Sequence, residues 1–120
     1  MLGGSLAQAD PASELPACML ALDATVIVRG ERAERRIAAA AFFKGIYETA
    51  LSANELLVAF EVPIAISGSA HFFHEFARRH DDYAIAGLAA LASRAASSRT
   101  FGWLSSRSPT GRFWSKQQIG

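Results

Sequence analysis

The sequence predicts an α+β fold, mostly antiparallel sheet with short helices, and three observations carry that reading. The run ATVIVR at 24–29 is rich in β-branched residues and stops at Gly30, as a strand does when it enters a turn. The run ELLVAFEV at 55–62 is a second strand, closed by Pro63, which cannot donate to a ladder. PACMLALD at 16–23 is apolar and free of β-branched residues. It reads as a short helix with Pro16 in its first turn and Glu14 where the helix dipole favours an acid.

The remaining elements follow in order. GGSLAQADP at 3–11 reads as a loop of glycine and small residues. Gly30, Glu31, Arg32 and Ala33 make a turn, and residues 34–37 return as the second strand of a hairpin. Residues 38–47 have room for a helical turn or two around Phe42 and Phe43, weakened by Gly45. Strict alternation along 55–62 puts Leu57, Ala59 and Glu61 on one face and Leu56, Val58, Phe60 and Val62 on the other. Residues 64–70 form a loop around Gly68, 70–78 a further strand, and 79–82 a polar turn. The apolar stretch 83–92 fits strand or helix equally. Beyond Ala92 there are seven serines in 28 residues and no periodicity, so the tail reads as weakly structured.

Composition narrows the class. A chain of 120 residues with 51% hydrophobic content can bury a core, and no apolar run reaches the ~18 residues of a membrane span. The first residues lack the basic and long apolar regions of a signal peptide. The lone Cys18 has no internal disulfide partner, which suits a reducing compartment, the cytoplasm. Net charge is +1 but uneven: all 11 acids lie between Asp10 and Asp82 beside seven Lys or Arg, and five basic residues follow with no acid. Those five are scattered through the serine-rich tail and match no docking module, so nucleic acid is not an expected partner.

A more specific signal lies in four blocks: LGGSLAQADPASELPA at 2–17, ALDATVIVRGERAERRIAAAAFFKGIYETAL at 21–51, NELLVAFEVP at 54–63 and FHEFARRHDDYAIAGLAA at 73–90. Their order and spacing resemble the FAD-binding (medium) subunits of molybdenum hydroxylases, the xanthine dehydrogenase and aerobic carbon monoxide dehydrogenase flavoproteins, with the latter the nearer. The resemblance covers residues 2–92. It implies three parts: 1–66 as the second FAD-binding subdomain, 67–92 as the beginning of a C-terminal α+β domain, and 93–120 as an atypical basic tail. Family flavoproteins carry a further domain with another pyrophosphate loop ahead of the first block, so the chain is expected to be a fragment.

The resemblance also implies site residues. Gly3, Gly4 and Ser5 would meet the FAD pyrophosphate, because glycines allow close backbone approach and a nest of N–H groups binds anions. Read without the resemblance, they are a plain glycine loop. Glu14 stands at the family's acidic FAD contact, with Gln8 and Ser13 as polar neighbours; a carboxylate suits the hydroxyl donors of a ribityl or ribose group. Their structural alternative is capping of the helix start. Leu57 aligns with a leucine that packs against the flavin, or is simply a core strand residue. Tyr83 aligns with an aromatic near the isoalloxazine ring, or is a surface turn residue. His74 and Glu75 stand in a region where the family often has Lys.

Metal ligation is not expected, since His71 and His74 fall on opposite faces of a strand and no HExxH occurs. Cys18 reads as a small buried hydrophobe. No nucleophile–base pair or carboxylate dyad is present, so no residue is expected to be a catalytic acid or base. The resemblance implies an electron-transfer subunit that takes electrons from [2Fe-2S] clusters in a small iron-sulfur subunit. It passes them through FAD to an external acceptor, while a large subunit holds the molybdenum cofactor. The competing expectation is a truncated, non-enzymatic remnant that binds no flavin by itself.

Overall fold

Thr25–Arg29 forms β1, the middle strand of a three-stranded antiparallel sheet, and its Val26, Ile27 and Val28 are all buried. Cover on both faces explains why this strand is a continuous apolar run with no polar alternation. In the computed structural model, residues 2–80, 82–93, 96–104 and 114–119 are described. The chain runs α1 (Leu2–Gln8), α2 (Glu14–Ala21), β1, β2 (Glu34–Ala38), α3 (Ala39–Phe42), β3 (Phe43–Gly45), β4 (Glu48–Thr49), β5 (Leu56–Glu61), β6 (Ala70–Phe76), β7 (Ala86–Ser93), β8 (Ala96–Leu104) and β9 (Trp114–Ile119). The fold is α+β with antiparallel sheets and short helices, as expected.

The first sheet has the order β2-β1-β5, with the β1–β2 hairpin closed at Gly30, whose N–H donates to the Ala33 carbonyl at 3.0 Å. β3 and β4 make a small separate ladder, and β6-β7-β8-β9 is a meander of four strands. α2 lies across β7 and β8, while α1 packs on β5 and α3 on β1 and β2. The core follows that arrangement: Leu6, Ala17, Met19, Leu20, Ala24 and Ala39 cluster with Ala89 of β7. A second cluster of Val26, Val28 and Phe42 lies beneath β1, and Phe43 and Leu57 touch both. Phe42 and Phe43 meet edge to face, with centroids 5.1 Å apart.

Four expectations change. The opening is a helix, α1, because burial of Leu6 and of the following Ala9, both fully enclosed, outweighs the poor helix propensity of two glycines. Strict alternation fails in β5. Ile27 pairs with Ala59 but Val28 pairs with Leu57, so Val58 is the extra residue of a bulge, and Leu57 and Phe60 are both half-buried. The ambiguous stretch resolves as strand β7, which the sheet covers on both sides. The stretch expected to be weakly structured contains β8 and β9. They are held by backbone pairing to β7 and to each other, which needs no side-chain alternation. Among the described residues no helix is long and apolar enough to cross a membrane.

Candidate functional site

A tight connection between α1 and α2 builds the site. α1 ends at Ala9, which takes a left-handed backbone (φ 51°) and accepts the Tyr47 N–H at 3.1 Å. Asp10 then starts a turn in which its carbonyl accepts Ser13 N–H at 3.0 Å and its Oδ1 accepts Ala12 N–H at 2.8 Å. That is an Asx turn, and it reverses the chain so that α2 runs back beside α1. α2 itself closes with a Schellman motif: Asp23 is left-handed, Ala24 N–H donates to the Met19 carbonyl and Asp23 N–H to that of Leu20.

Ser13 occupies the N-cap position of α2, yet its side chain makes no capping bond. Its hydroxyl lies 2.9 Å from that of Ser5 on α1 and ties the two helices together. The capping expected of Ser13 is therefore replaced by a cross-helix hydroxyl pair. Glu14 opens α2, exposed, in the first turn where the dipole favours it.

Between these helices and the turn that follows β6 lies an open cleft of about 780 Å³. Gly4, Ser5 and Gln8 line it from α1, and Asp10, Ala12, Ser13 and Glu14 from the connection and the start of α2. Asp82 and Tyr83 line it from the far side. The cleft thus gathers six of the residues singled out in the sequence: Gly4, Ser5, Gln8, Ser13, Glu14 and Tyr83. Gly3 and Leu57 are elsewhere and meet each other, since a Cβ on Gly3 would sit 3.8 Å from Leu57 Cδ2. Leu57 packs into both core clusters.

The glycines are helical, and neither has a positive φ, so the expected nest of alternating backbone conformations is absent here. What they offer is the first turn of a helix, where N–H groups have no carbonyl within the helix to bond. A Cβ on Gly4 would meet nothing within 4 Å, so packing does not explain the missing side chain there. Asp10, Ala12 and Asp82 line the cleft beyond the six residues singled out in the sequence, and Asp82 is the one of these that comes from the far side. Its carboxylate accepts the Tyr83 N–H at 2.9 Å, and only its adjacency to Tyr83 hinted at a role.

Cys18, half-buried on α2, has its thiol pKa pushed up by burial and by the nearby Glu14 charge. His71 and His74 are exposed on β6, and no group of three or more His, Cys, Asp or Glu among the described residues is arranged to hold a metal ion.

Residues 1–65 match the family described as the FAD binding domain in molybdopterin dehydrogenase. The chain belongs to that family. It is 43% identical over 90 residues to the 6-hydroxypseudooxynicotine dehydrogenase complex subunit alpha of Paenarthrobacter nicotinovorans, covering 75% of this chain and 30% of that relative. It is 33% identical over 90 residues to the carbon monoxide dehydrogenase medium chain of Afipia carboxidovorans, covering 75% and 31%. Among solved structures, carbon monoxide dehydrogenase from Hydrogenophaga pseudoflava matches with a TM-score of 0.84 at 27% identity, over 97% of this chain and 40% of that one. Quinoline 2-oxidoreductase from Pseudomonas putida 86 matches at 0.75 and 39% identity, over 85% and 36%. The chain spans less than a third of the length of these curated relatives, which are subunits of oxidoreductases.

The residues fit the cofactor that the family name specifies. The cleft has the volume of a small-molecule site, its Gly4 side is left open, and its carboxylates, amide and hydroxyls can accept bonds from a polyol.

Proposed function

We propose that the chain is the second FAD-binding part of a flavin subunit in a molybdenum hydroxylase of the carbon monoxide dehydrogenase type. Residues 1–66 would supply the cofactor wall, and 67–92 would begin a C-terminal domain that lends Asp82 and Tyr83. The observation that carries this reading is the cleft that α1, the Asx turn, α2 and the 82–83 segment line together. Gly4 and Ser5 would face the cofactor's diphosphate, helped by first-turn N–H groups. Gln8, Ser13 and Glu14 would bond its hydroxyls, and Tyr83, 76% exposed at the rim, would cover part of the ring. Gly3 and Leu57 would act from beneath, by holding α1 on the core.

Bound FAD would supply the electron-transfer chemistry, and the chain's own residues would position it and limit its exposure to water. In the complete complex, electrons would come from [2Fe-2S] clusters of a small iron-sulfur subunit, downstream of a large molybdenum subunit, and leave for an external acceptor. We place that complex in the cytoplasm, on the strength of the single, unpaired Cys18. The openness of the cleft supports a second reading, in which this stretch holds no flavin by itself.

The deciding experiment incubates the purified chain with FAD, removes free flavin by desalting, and records the visible absorption spectrum. A retained flavin spectrum that falls in Gly4→Val and Glu14→Ala supports the first reading. A colourless protein supports the second.

A further inference from the structure

Among the described residues, β2 and β5 form the edges of one of the larger sheets, and β6 and β9 those of the other. Three of these edges carry a feature that discourages pairing with another chain. β2 has Glu34, Arg35 and Arg36 in five residues, β5 is bent by the bulge at Val58, and β9 includes Lys116. β6 has no such feature. It pairs with β7 in unbroken register from Ala70 to Phe76, and no described strand lies on its other side. All seven of its residues are exposed, three are phenylalanines, and it contains no Pro, Gly, Lys or Arg. Such an edge presents a row of backbone donors and acceptors on an apolar, strand-forming sequence.

β6 is also complementary to itself. In an antiparallel pair about a two-fold axis at Phe73, every residue of the strand finds a partner. Ala70 faces Phe76 of the second copy, His71 faces Glu75, Phe72 faces His74, and Phe73 faces its own mate. Directly opposed residues share a face of the sheet, so an axis perpendicular to the sheet allows only registers that differ by two residues. Moving by two in either direction leaves two residues of each strand outside the pairing and sets Glu75 against Phe73 or Ser69. Of these registers, only the one centred on Phe73 gives each carboxylate an imidazole, whose N–H can donate to it. It also brings Phe72 of one copy beside His74 of the other, two rings that already lie 6.2 Å apart within one chain.

We propose that β6 is a self-association edge, to which a second copy of this chain adds its own β6 antiparallel and centred on Phe73. The two four-stranded meanders then form one sheet across the axis. The His71–Glu75 pair, made twice by symmetry, fixes the register, and the aromatic rings supply apolar area. None of the β6 residues lines the cleft, so this edge is independent of the flavin reading.

The test is sedimentation velocity of the 120-residue chain over a wide range of concentration, which should show a reversible monomer–dimer equilibrium. Glu75→Lys and His71→Glu, each alone, are expected to weaken the dimer by about twofold to thirtyfold, because symmetry changes both pairs at once. The double variant restores opposite charges across the axis and should recover the dimer. Phe73→Cys should give a disulfide-linked dimer on oxidation with diamide. Phe72→Cys and the unaltered chain, whose Cys18 is half-buried, should not. A chain that stays monomeric at every concentration overturns the proposal. So does a dimer unmoved by either single substitution, or a double variant no better than the singles. Cross-linking of Phe72→Cys as readily as of Phe73→Cys overturns it too, as does growth beyond the dimer, since a closed pair leaves no open β6 edge.

Discussion

Gly4 is a helical residue whose missing side chain helps neither packing nor backbone geometry. A methyl there meets no atom within 4 Å, so Gly4→Ala should raise the melting temperature of the ligand-free chain, by up to about 1 kcal/mol of stability. The same methyl intrudes on the cleft, so flavin retained after desalting should fall. Gly3→Ala is the control: its methyl makes an ordinary 3.8 Å contact with Leu57, and flavin retention should be unchanged. Glu55 gives a second residue-scale prediction. Arg35 donates to both its oxygens, at 2.7 and 2.6 Å, and with help from Ser52 N–H holds its pKa down to about 2. A depressed carboxylate pKa stabilises the fold above the ordinary value of 4.5, and that contribution disappears as pH falls through about 2. Melting temperature in Glu55→Gln should therefore vary less with pH between 4.5 and 2 than in the parent chain. Glu14 and Ser13, which line the cleft, were legible as candidates through the family resemblance of the block at 2–17. Asp82 was not, because only the folded chain brings it opposite them.

At the scale of elements, what the sequence hid was hidden for identifiable reasons. α1 reads as a loop because two glycines dominate local propensity, whereas its helix is held by tertiary burial of Leu6. β1 was legible since a buried central strand is a plain β-branched run. β8 and β9 were not, because ladder bonds along β7 and β8 impose extension on serine-rich text without leaving a period-two trace. β5 was found with its faces misassigned, since a bulge at Val58 leaves no mark on composition. The bulge brings Leu57 and Phe60, three residues apart, both to the half-buried side. Leu57 packs into both core clusters, while Val58 is 43% exposed. Leu57→Ala should cost about 2–3 kcal/mol and Val58→Ala less than about 1, read as shifts in the urea midpoint at constant slope. Equal costs would mean that Val58 packs against the core as Leu57 does.

At the scale of the whole molecule, the cleft depends on two bodies of structure that the chain connects only through residues 62–69, all but Ser69 exposed. α1 packs on β5 of the first sheet and α2 on α1; Asp82 and Tyr83 arrive just ahead of β7 of the second. What holds the walls in register is α2 packed on β7, where Ala89 is 3% exposed among Ala17, Met19 and Leu20. A small residue is needed there because the helix lies close to the strand, so enlarging it should push the two bodies apart. Ala89→Phe is expected to cost about 1–3 kcal/mol by overpacking. It should also release most of the retained flavin and speed proteolytic cleavage within 62–69, although none of its atoms lies in the cleft. Ala92→Phe, on the same strand but exposed, should leave flavin and cleavage rate as they are. If Ala89→Phe is destabilised yet keeps its flavin, the walls do not depend on this contact. The cofactor would then rest on the α1–α2 side alone, and Tyr83 would be a bystander.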